Sequence, residues 1–317
     1  MKTILVLYPL SEKLVSQLQE VATDYKVVTD TDSLTDQDLQ AVEIIIGWKK
    51  DIGERILYMP NNSLKWIQSF SAGVDYFDLA EIARQNIQLT SASGIHGSQI
   101  TETVMGMLLA KSRGIQQSVL QQTARIWQDP NDIIELAHKK LLIVGTGKIG
   151  RHLAKVAEVF ELDVYGINRS GYDLPHFIKN YPQEDLLNVV GDMDIVVNIL
   201  PLTDETHHLF DAKFFKQMKN DAWFINVGRG ASVNTNDLLE ALRHQELAFA
   251  GLDVLEEEPL DQHHPIWSEP NVLITPHIAG NSNYYADRLI ALFTRNYHSY
   301  MKDGTVCESV VNLKEGY

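Results

Sequence analysis

The chain has 317 residues, 44% of them hydrophobic, which is more than one typical core requires, so two domains are the expectation. Its 27 basic and 42 acidic residues leave a formal net charge of −15, a field that repels nucleic acid phosphates and anionic lipid, so neither is expected as a partner. The one cysteine, Cys307, excludes an intrachain disulfide and suits a reducing cytoplasm, and no apolar stretch approaches the ~18 residues that a membrane span needs.

Residues 2–8 form a short apolar run with no small-residue cleavage site after it, which reads as a first buried strand rather than a signal segment. Further strand patterns lie at 25–29, 43–48, 64–71 and 86–91, with helical patterns between; Leu14, Leu18 and Val21 keep helical spacing in the first helix. Continuous apolar strands separated by helices predict a parallel sheet covered on both faces. From Ser98 to about Trp127 the spacing predicts one long helix, with Ile100, Val104, Met107 and Leu108 on its stripe and Glu102 in its first turns. A second alternating set follows at 140–145, 163–168, 194–200, 222–227, 248–254 and 272–275. Six strands are the number in a complete dinucleotide-binding sheet. A last helix is predicted over about 281–301, carrying Leu289, Leu292 and Phe293. The fold class is therefore α/β, with two doubly wound parallel-sheet domains.

Gly145-Thr146-Gly147-Lys148-Ile149-Gly150 matches G-x-G-x-x-G between an apolar strand and a helix containing Leu153, Val156, Ala157 and Phe160. That context is what the dinucleotide fingerprint requires. Gly145 allows the tight turn, Gly147 the approach of a pyrophosphate, and Gly150 close helix–strand packing, while the helix N-terminus offers amides to phosphate. The next strand ends at Asn168-Arg169-Ser170, 18 residues past Gly150, where NAD-binding chains carry an acid for the ribose 2′-hydroxyl. Asn does not repel a 2′-phosphate, Arg can grip one and Ser can add a hydrogen bond, so NADPH is expected over NADH. The competing reading is a solvated Arg169 with NAD used without the usual acid.

Three polar residues follow strands of the second set: Arg229, Glu258 and His277. Reduction of a keto acid needs a cation for the carboxylate and carbonyl, and a proton donor for the new alkoxide. The guanidinium fork suits the first task and imidazole the second, with a carboxylate beside the ring to orient it. Such a donor predicts weaker reduction at alkaline pH. Taken alone, His277 is equally readable as a loop histidine bonded to backbone.

Several spaced motifs extend over nearly the whole chain: Ser71-Ala72-Gly73-Val74-Asp75, the glycine fingerprint, Leu200-Pro201-Leu202-Thr203 with Thr206, Asn226-Val227-Gly228-Arg229-Gly230, Leu252-Asp253-Val254 with Glu258-Pro259, and Thr275-Pro276-His277-Ile278-Ala279-Gly280. Together they resemble the D-isomer-specific 2-hydroxyacid dehydrogenase family. In place of the usual acid, Asn168-Arg169 resembles its NADPH-using glyoxylate/hydroxypyruvate reductase branch. The resemblance implies a Rossmann domain at 98–284 inserted into a flavodoxin-like substrate domain made of 1–97 and 285–317, with a cleft that closes over substrate. It implies that Arg229 binds the carboxylate and carbonyl, that His277 is the general acid or base, and that Glu258 pairs with it, leaving Glu256 and Glu257 solvated. It places Ser71, Ala72, Gly73 and Val74 at the substrate carboxylate. The cofactor would meet Thr101, Gly147, Lys148, Ile149, Leu200, Pro201, Thr206, Val227, Gly228, Asp253, Ala279 and Gly280. A homodimer through the cofactor domain is implied as well.

Trp48-Lys49-Lys50 ends the third strand, where relatives line the pocket; Trp48 could wall off bulky substrates, and the lysines are read as surface charges unless a phosphate recruits them. Phosphoglycerate dehydrogenases belong to the same family, often with a C-terminal regulatory domain, which a chain ending at Tyr317 is not expected to have. Tyr76, Trp127, Trp267 and Tyr284 are pocket candidates that core packing explains equally well. The pairs His207-His208 and His263-His264 lack metal-ligand spacing, so no metal is expected. A non-catalytic NAD(H)-sensing corepressor on this scaffold is the alternative of another class; it would tolerate loss of the Arg, Glu and His that are all present here.

Overall fold

The computed structural model describes residues 2–130 and 132–315. Its chain divides into two units, residues 1–96 with 282–317, and residues 97–281.

In the first unit the apolar runs form five strands: β1 (Lys2–Val6), β2 (Tyr25–Val28), β3 (Val42–Ile46), β4 (Trp66–Gln68) and β5 (Gln88–Thr90). They pair in parallel in the order β2-β1-β3-β4-β5, the flavodoxin-like order. All of β3 is buried, as a central strand covered on both faces must be. The Tyr285–Asp303 helix buries Leu289, Leu292 and Phe293 here, and Phe293 stacks on Trp66 with ring centroids 4.7 Å apart. The helix therefore completes this unit's core, starting later and ending later than its sequence pattern suggests.

One charge sits inside that core. Glu43, in β3, is 9% exposed, and its Oε1 accepts from Tyr25 Oη at 2.6 Å, Tyr300 Oη at 3.0 Å and Lys2 Nζ at 3.2 Å. Burial alone would push the carboxyl up, but these three donors outweigh it and hold it below its ordinary value.

The second unit contains seven parallel strands: β6 (Lys140–Val144), β7 (Asp163–Asn168), β8 (Lys179–Pro182), β9 (Ile195–Asn198), β10 (Trp223–Asn226), β11 (Phe249–Leu252) and β12 (Val272–Ile274). Their order is β12-β11-β10-β9-β6-β7-β8, the dinucleotide-binding topology with one further strand at the β12 edge. The order reverses between β6 and β9, and the carboxyl ends flanking that point are where such sheets bind ligands. The strand absent from the sequence reading is β8. Lys179-Asn180-Tyr181-Pro182 has no apolar run because it is an edge strand, where a proline and a lysine are tolerated.

The single long helix read over 98–127 is two helices, Gly97–Ser112 and Ile115–Ala124. The chain turns left-handed at Gly114, with φ +64°, where a Cβ would lie 2.5 Å from Pro130. The first helix buries Ile100, Val104, Met107 and Leu108 against the sheet, whereas the second buries none of its residues. Glu102 is exposed in the second turn, within the first turns where the sequence puts it. No helix among the described residues is long and apolar enough to cross a membrane.

Glu43 gives a pH prediction for the first unit. A carboxyl held down in the folded state stabilises it above the unfolded value near 4.5, and that contribution is lost as pH falls through the folded value. Acidification from about pH 5 to about pH 3 should therefore lower the melting midpoint of the wild type more than that of Glu43→Gln. Equal shifts in the two proteins would refute the assignment.

Candidate active site

The glycine turn has the geometry its spacing implies. Gly145 has φ +105°, and a Cβ on Gly150 would lie 2.2 Å from Gly145 O, so helix and strand meet flush. Around Gly147 the space is open. It is the N-cap of the Lys148–Val159 helix and, having no side chain, makes no side-chain cap, so the positive end of the helix dipole faces this open space. These features fit a dinucleotide pyrophosphate.

At the end of β7, Asn168 has its whole side chain committed to its own turn. Its Oδ1 accepts from Ser170 N at 3.2 Å and Gly171 N at 2.7 Å, and its Nδ2 donates to Tyr172 O at 3.0 Å. Arg169 and Ser170 are thereby presented on the surface of an ordered turn. Beyond β9, Thr206 is also internally committed: its Oγ1 donates to Pro201 O at 2.7 Å and accepts from Thr203 N at 2.8 Å. It shapes the Leu200-Pro201 loop. Thr101 is buried, with its Oγ1 3.0 Å from His152 Nδ1 of the glycine-turn helix, a partner the sequence did not suggest.

The loops after β10, β11 and β12 come together because those strands run side by side in register, Asn226 opposite Leu252 and Leu252 opposite Ile274. Backbone bonds continue past the strands, from Asp253 N to Asn226 O at 3.0 Å, Thr275 N to Leu252 O at 2.9 Å and His277 N to Asp253 O at 2.8 Å. Val227 is buried, and Gly228 N donates to Asn226 Oδ1.

His277 Nδ1 lies 2.6 Å from Glu258 Oε2, and Glu258 Oε1 accepts from Leu255 N at 2.9 Å. One carboxylate oxygen thus anchors Glu258 to its own loop and the other orients the ring. The pair is open to solvent, with side chains 53% and 36% exposed. His277 has φ +53°, a left-handed conformation that costs a non-glycine residue ~1–2 kcal/mol and persists only where its surroundings impose it. Asp253 imposes it. Only 3% exposed, its carboxylate accepts from Thr275 Oγ1 at 2.5 Å and from Ile278 N and Ala279 N at 3.0 Å each. Asp253 is therefore the clamp of the His277 loop. Gly280, at the loop's end, accepts from Gln99 Nε2 at 3.2 Å.

Arg229 belongs to the same assembly. Its Nη1 donates to Gly228 O at 2.9 Å, and the next residue packs directly on the Glu258 loop. A Cβ on Gly230 would lie 1.8 Å from Leu255 O, so only glycine fits. Leu255, in turn, holds Glu258. The segments of Arg229, Glu258 and His277 are thus joined by continuous contacts at one edge of the sheet. Glu256 corrects the reading that it is simply solvated: it bonds His208 Nε2 at 2.6 Å and Thr235 N at 2.8 Å. Burial would push its carboxyl up, but the Thr235 amide and His208 outweigh that and hold it below its ordinary value.

In the first unit, Ser71 to Val74 form an ordered loop beyond β4. Ser71 Oγ donates to Gly73 O at 2.5 Å, and Tyr76 Oη lies 2.9 Å from Ser71 Oγ and 2.8 Å from Ser69 Oγ. Ala72 and Gly73 are half-buried and Val74 is buried. Trp48 departs from its expectation as a pocket wall. It is 8% exposed in the core, with its ring over Gly53 and against Phe77 at 4.8 Å between centroids. Lys49 and Lys50 are exposed. Among the described residues, no three His, Cys, Asp or Glu side chains are grouped to hold a metal ion.

Residues 105–279 match the model of the D-isomer-specific 2-hydroxyacid dehydrogenase NAD-binding domain. The chain belongs to that family. It is 33% identical to glyoxylate/hydroxypyruvate reductase B of Escherichia coli over 90% of each chain. A family protein of Aeromonas salmonicida has a similar structure, with 34% identity, TM-score 0.83, and coverage of 98% of this chain and 99% of that one. So does an NADPH-dependent glyoxylate/hydroxypyruvate reductase of Sinorhizobium meliloti in complex with NADP and sulfate, with 27% identity, TM-score 0.83 and full coverage of both chains. Phosphoglycerate dehydrogenase of Lactobacillus plantarum is 35% identical, with TM-score 0.59 and coverage of 98% and 100%. The chain is thus an NAD(P)-dependent oxidoreductase of the 2-hydroxyacid dehydrogenase family, whose substrates are small keto and hydroxy acids.

Proposed function

We propose that this enzyme reduces a small 2-keto acid of the glyoxylate or hydroxypyruvate type, with NADPH preferred. The observation that carries the reading is the Glu258–His277 pair joined to the Arg229 loop. The reduced nicotinamide, when bound, supplies the hydride to C2. The guanidinium of Arg229 pairs with the substrate carboxylate and polarises its carbonyl. Glu258 keeps the Nδ1 proton of His277 in place, so Nε2 delivers its proton to the carbonyl oxygen as the new C–H bond forms. In the reverse direction Nε2 takes the hydroxyl proton. The unit of residues 97–281 is assigned to the dinucleotide, and the Ser71–Val74 loop of the other unit to substrate.

Arg169 and Ser170, on the Asn168 turn, are assigned to the 2′-phosphate of NADPH. Support comes from the missing acid, from the exposure of both side chains and from the NADP complex of the Sinorhizobium relative. A phosphorylated keto acid is the second reading, favoured by exposed Lys49 and Lys50 and by the similarity to the Lactobacillus enzyme. A homodimer through the dinucleotide-binding unit is supported by solvent-facing Val119, Leu120, Ile126 and Trp127, which are 56%, 63%, 52% and 102% exposed.

Three outcomes test this reading. With glyoxylate, hydroxypyruvate, pyruvate and phosphohydroxypyruvate as substrates, the first two should give the highest kcat/KM; His277→Ala should lower kcat by roughly 10²–10⁴-fold and Arg229→Ala should damage both kcat and KM. Wild-type turnover by His277→Ala would remove the acid assignment. Arg169→Ala should raise the KM for NADPH by about tenfold or more and leave that for NADH nearly unchanged; equal effects would count against a phosphate contact. Light scattering should give twice the chain mass for the wild type and a lower mass for Leu120→Glu/Trp127→Glu, whereas a monomeric wild type would dismiss the dimer.

A further inference from the structure

Behind the Arg229 loop lie two asparagines and a serine at most 1% exposed: Asn198, Asn226 and Ser232. Asn198 ends β9 and Asn226 ends β10, opposite one another in register. Of the neighbouring strands, β6, β11 and β12 end in Val144, Leu252 and Ile274, and β7 ends in Asn168, whose side chain is turned to its own loop, so the pairing of Asn198 with Asn226 is not a general requirement of this sheet edge. Asn198 Nδ2 donates to Asn226 Oδ1 at 2.9 Å and to Ser232 Oγ at 2.8 Å, while its Oδ1 accepts from Leu200 N at 3.0 Å. Asn226 Oδ1 also accepts from Gly228 N at 3.1 Å, and its Nδ2 donates to Arg229 O at 3.2 Å. Ser232 donates to that same carbonyl twice, from Oγ at 2.6 Å and from N at 3.2 Å.

The network is closed, as a buried polar cluster must be to persist. It converges on the carbonyl of Arg229, which receives three donors where a carbonyl has two lone pairs. The peptide leaving the Arg229 Cα is therefore held from three directions, and Gly228 N just before Arg229 is held as well. The same asparagine that anchors this loop also fixes Leu200 on the loop after β9.

We propose that Asn198, Asn226 and Ser232 are positioning residues for Arg229: a buried hydrogen-bond clamp that presets the origin of its guanidinium and ties it to the Leu200 loop. The proposal rests on the reading of Arg229 as the carboxylate-binding residue. A displacement of about 1 Å in a group that orients substrate can cost on the order of 10²-fold in rate, which gives such a clamp its value.

The test is a double-mutant cycle between Ser232→Ala and Arg229→Ala, read as kcat/KM for glyoxylate with NADPH, with the Kd of NADPH measured by fluorescence. Ser232→Ala should lower kcat/KM about tenfold, leave the Kd of NADPH unchanged, and cost little further in the Arg229→Ala background. Asn198→Asp keeps the Leu200 acceptor but replaces the forked donor by an oxygen; it should give the same non-additive pattern, with melting midpoints showing both variants folded. Wild-type kcat/KM in Ser232→Ala, or an equal fold-loss with and without Arg229, would overturn the clamp. Wild-type rates in Arg229→Ala would overturn the substrate-binding reading itself, and the clamp with it.

Discussion

The parallel direction of every strand in the second sheet is the constraint on which the site depends. Parallel strands must be joined by crossovers, so each strand's carboxyl end opens into a loop at the same sheet edge. The fingerprint after β6, the Asn168 turn after β7 and the loops carrying Leu200, Arg229, Asp253 and His277 therefore share one edge although they span more than a hundred residues of sequence. Backbone hydrogen bonding between neighbours extends past the last strand residues, so register in the sheet becomes register among the loops. A buried apolar sheet thus sets the spacing at which the polar side chains of these loops meet one another.

What fixes those loops is a repeated device: a carboxamide or carboxylate at a strand end, spent on backbone groups that no ladder reaches. Asn168 holds Ser170 and Gly171, Asn198 holds Leu200, Asn226 holds Gly228, and Asp253 holds Ile278 and Ala279. Gly228 N and Ala279 N are buried, and either amide left unpaired would cost ~1–3 kcal/mol, so there the side chain satisfies the backbone and selects a loop conformation at once. The positive φ of His277 shows the consequence, since its cost is carried by Asp253 and the ring is delivered to Glu258.

This division explains what the sequence discloses. Strands with apolar runs, such as Ile195–Asn198 and Trp223–Asn226, are legible because burial on both faces dictates their composition. The β8 strand is not, because an edge needs no such composition, and the break at Gly114 is masked by helix-compatible residues on both sides. Arg229, Glu258 and His277 stand out by chemical type and spacing. The supporting residues do not: Asn198 closes an apolar strand, Ser232 follows a glycine-rich loop, and His152 lies on a helix, and only three-dimensional adjacency to Leu200, Arg229 and Thr101 reveals what each does. Trp48 shows the opposite error. A residue type associated with pockets is here a core residue, because Gly53 leaves room for its ring.

The three glutamates after β11 show how position, more than charge, decides a role. Glu256 turns to His208 and to the Thr235 amide, bracing the start of the Thr235–Arg243 helix that precedes β11, while Glu258 turns to His277. Identical groups two residues apart are thus committed to different loops. The choice matters in a chain of net charge −15 whose substrate and cofactor are both anions. At physiological salt, screening confines the repulsion from surface carboxylates to about 8 Å. Capture then depends on the groups within that range, so the loop to which each carboxylate is held decides what an incoming anion meets. Hydrogen bonds to His208 and His277 fix Glu256 and Glu258 in place, so neither carboxylate is at liberty to swing toward an approaching anion.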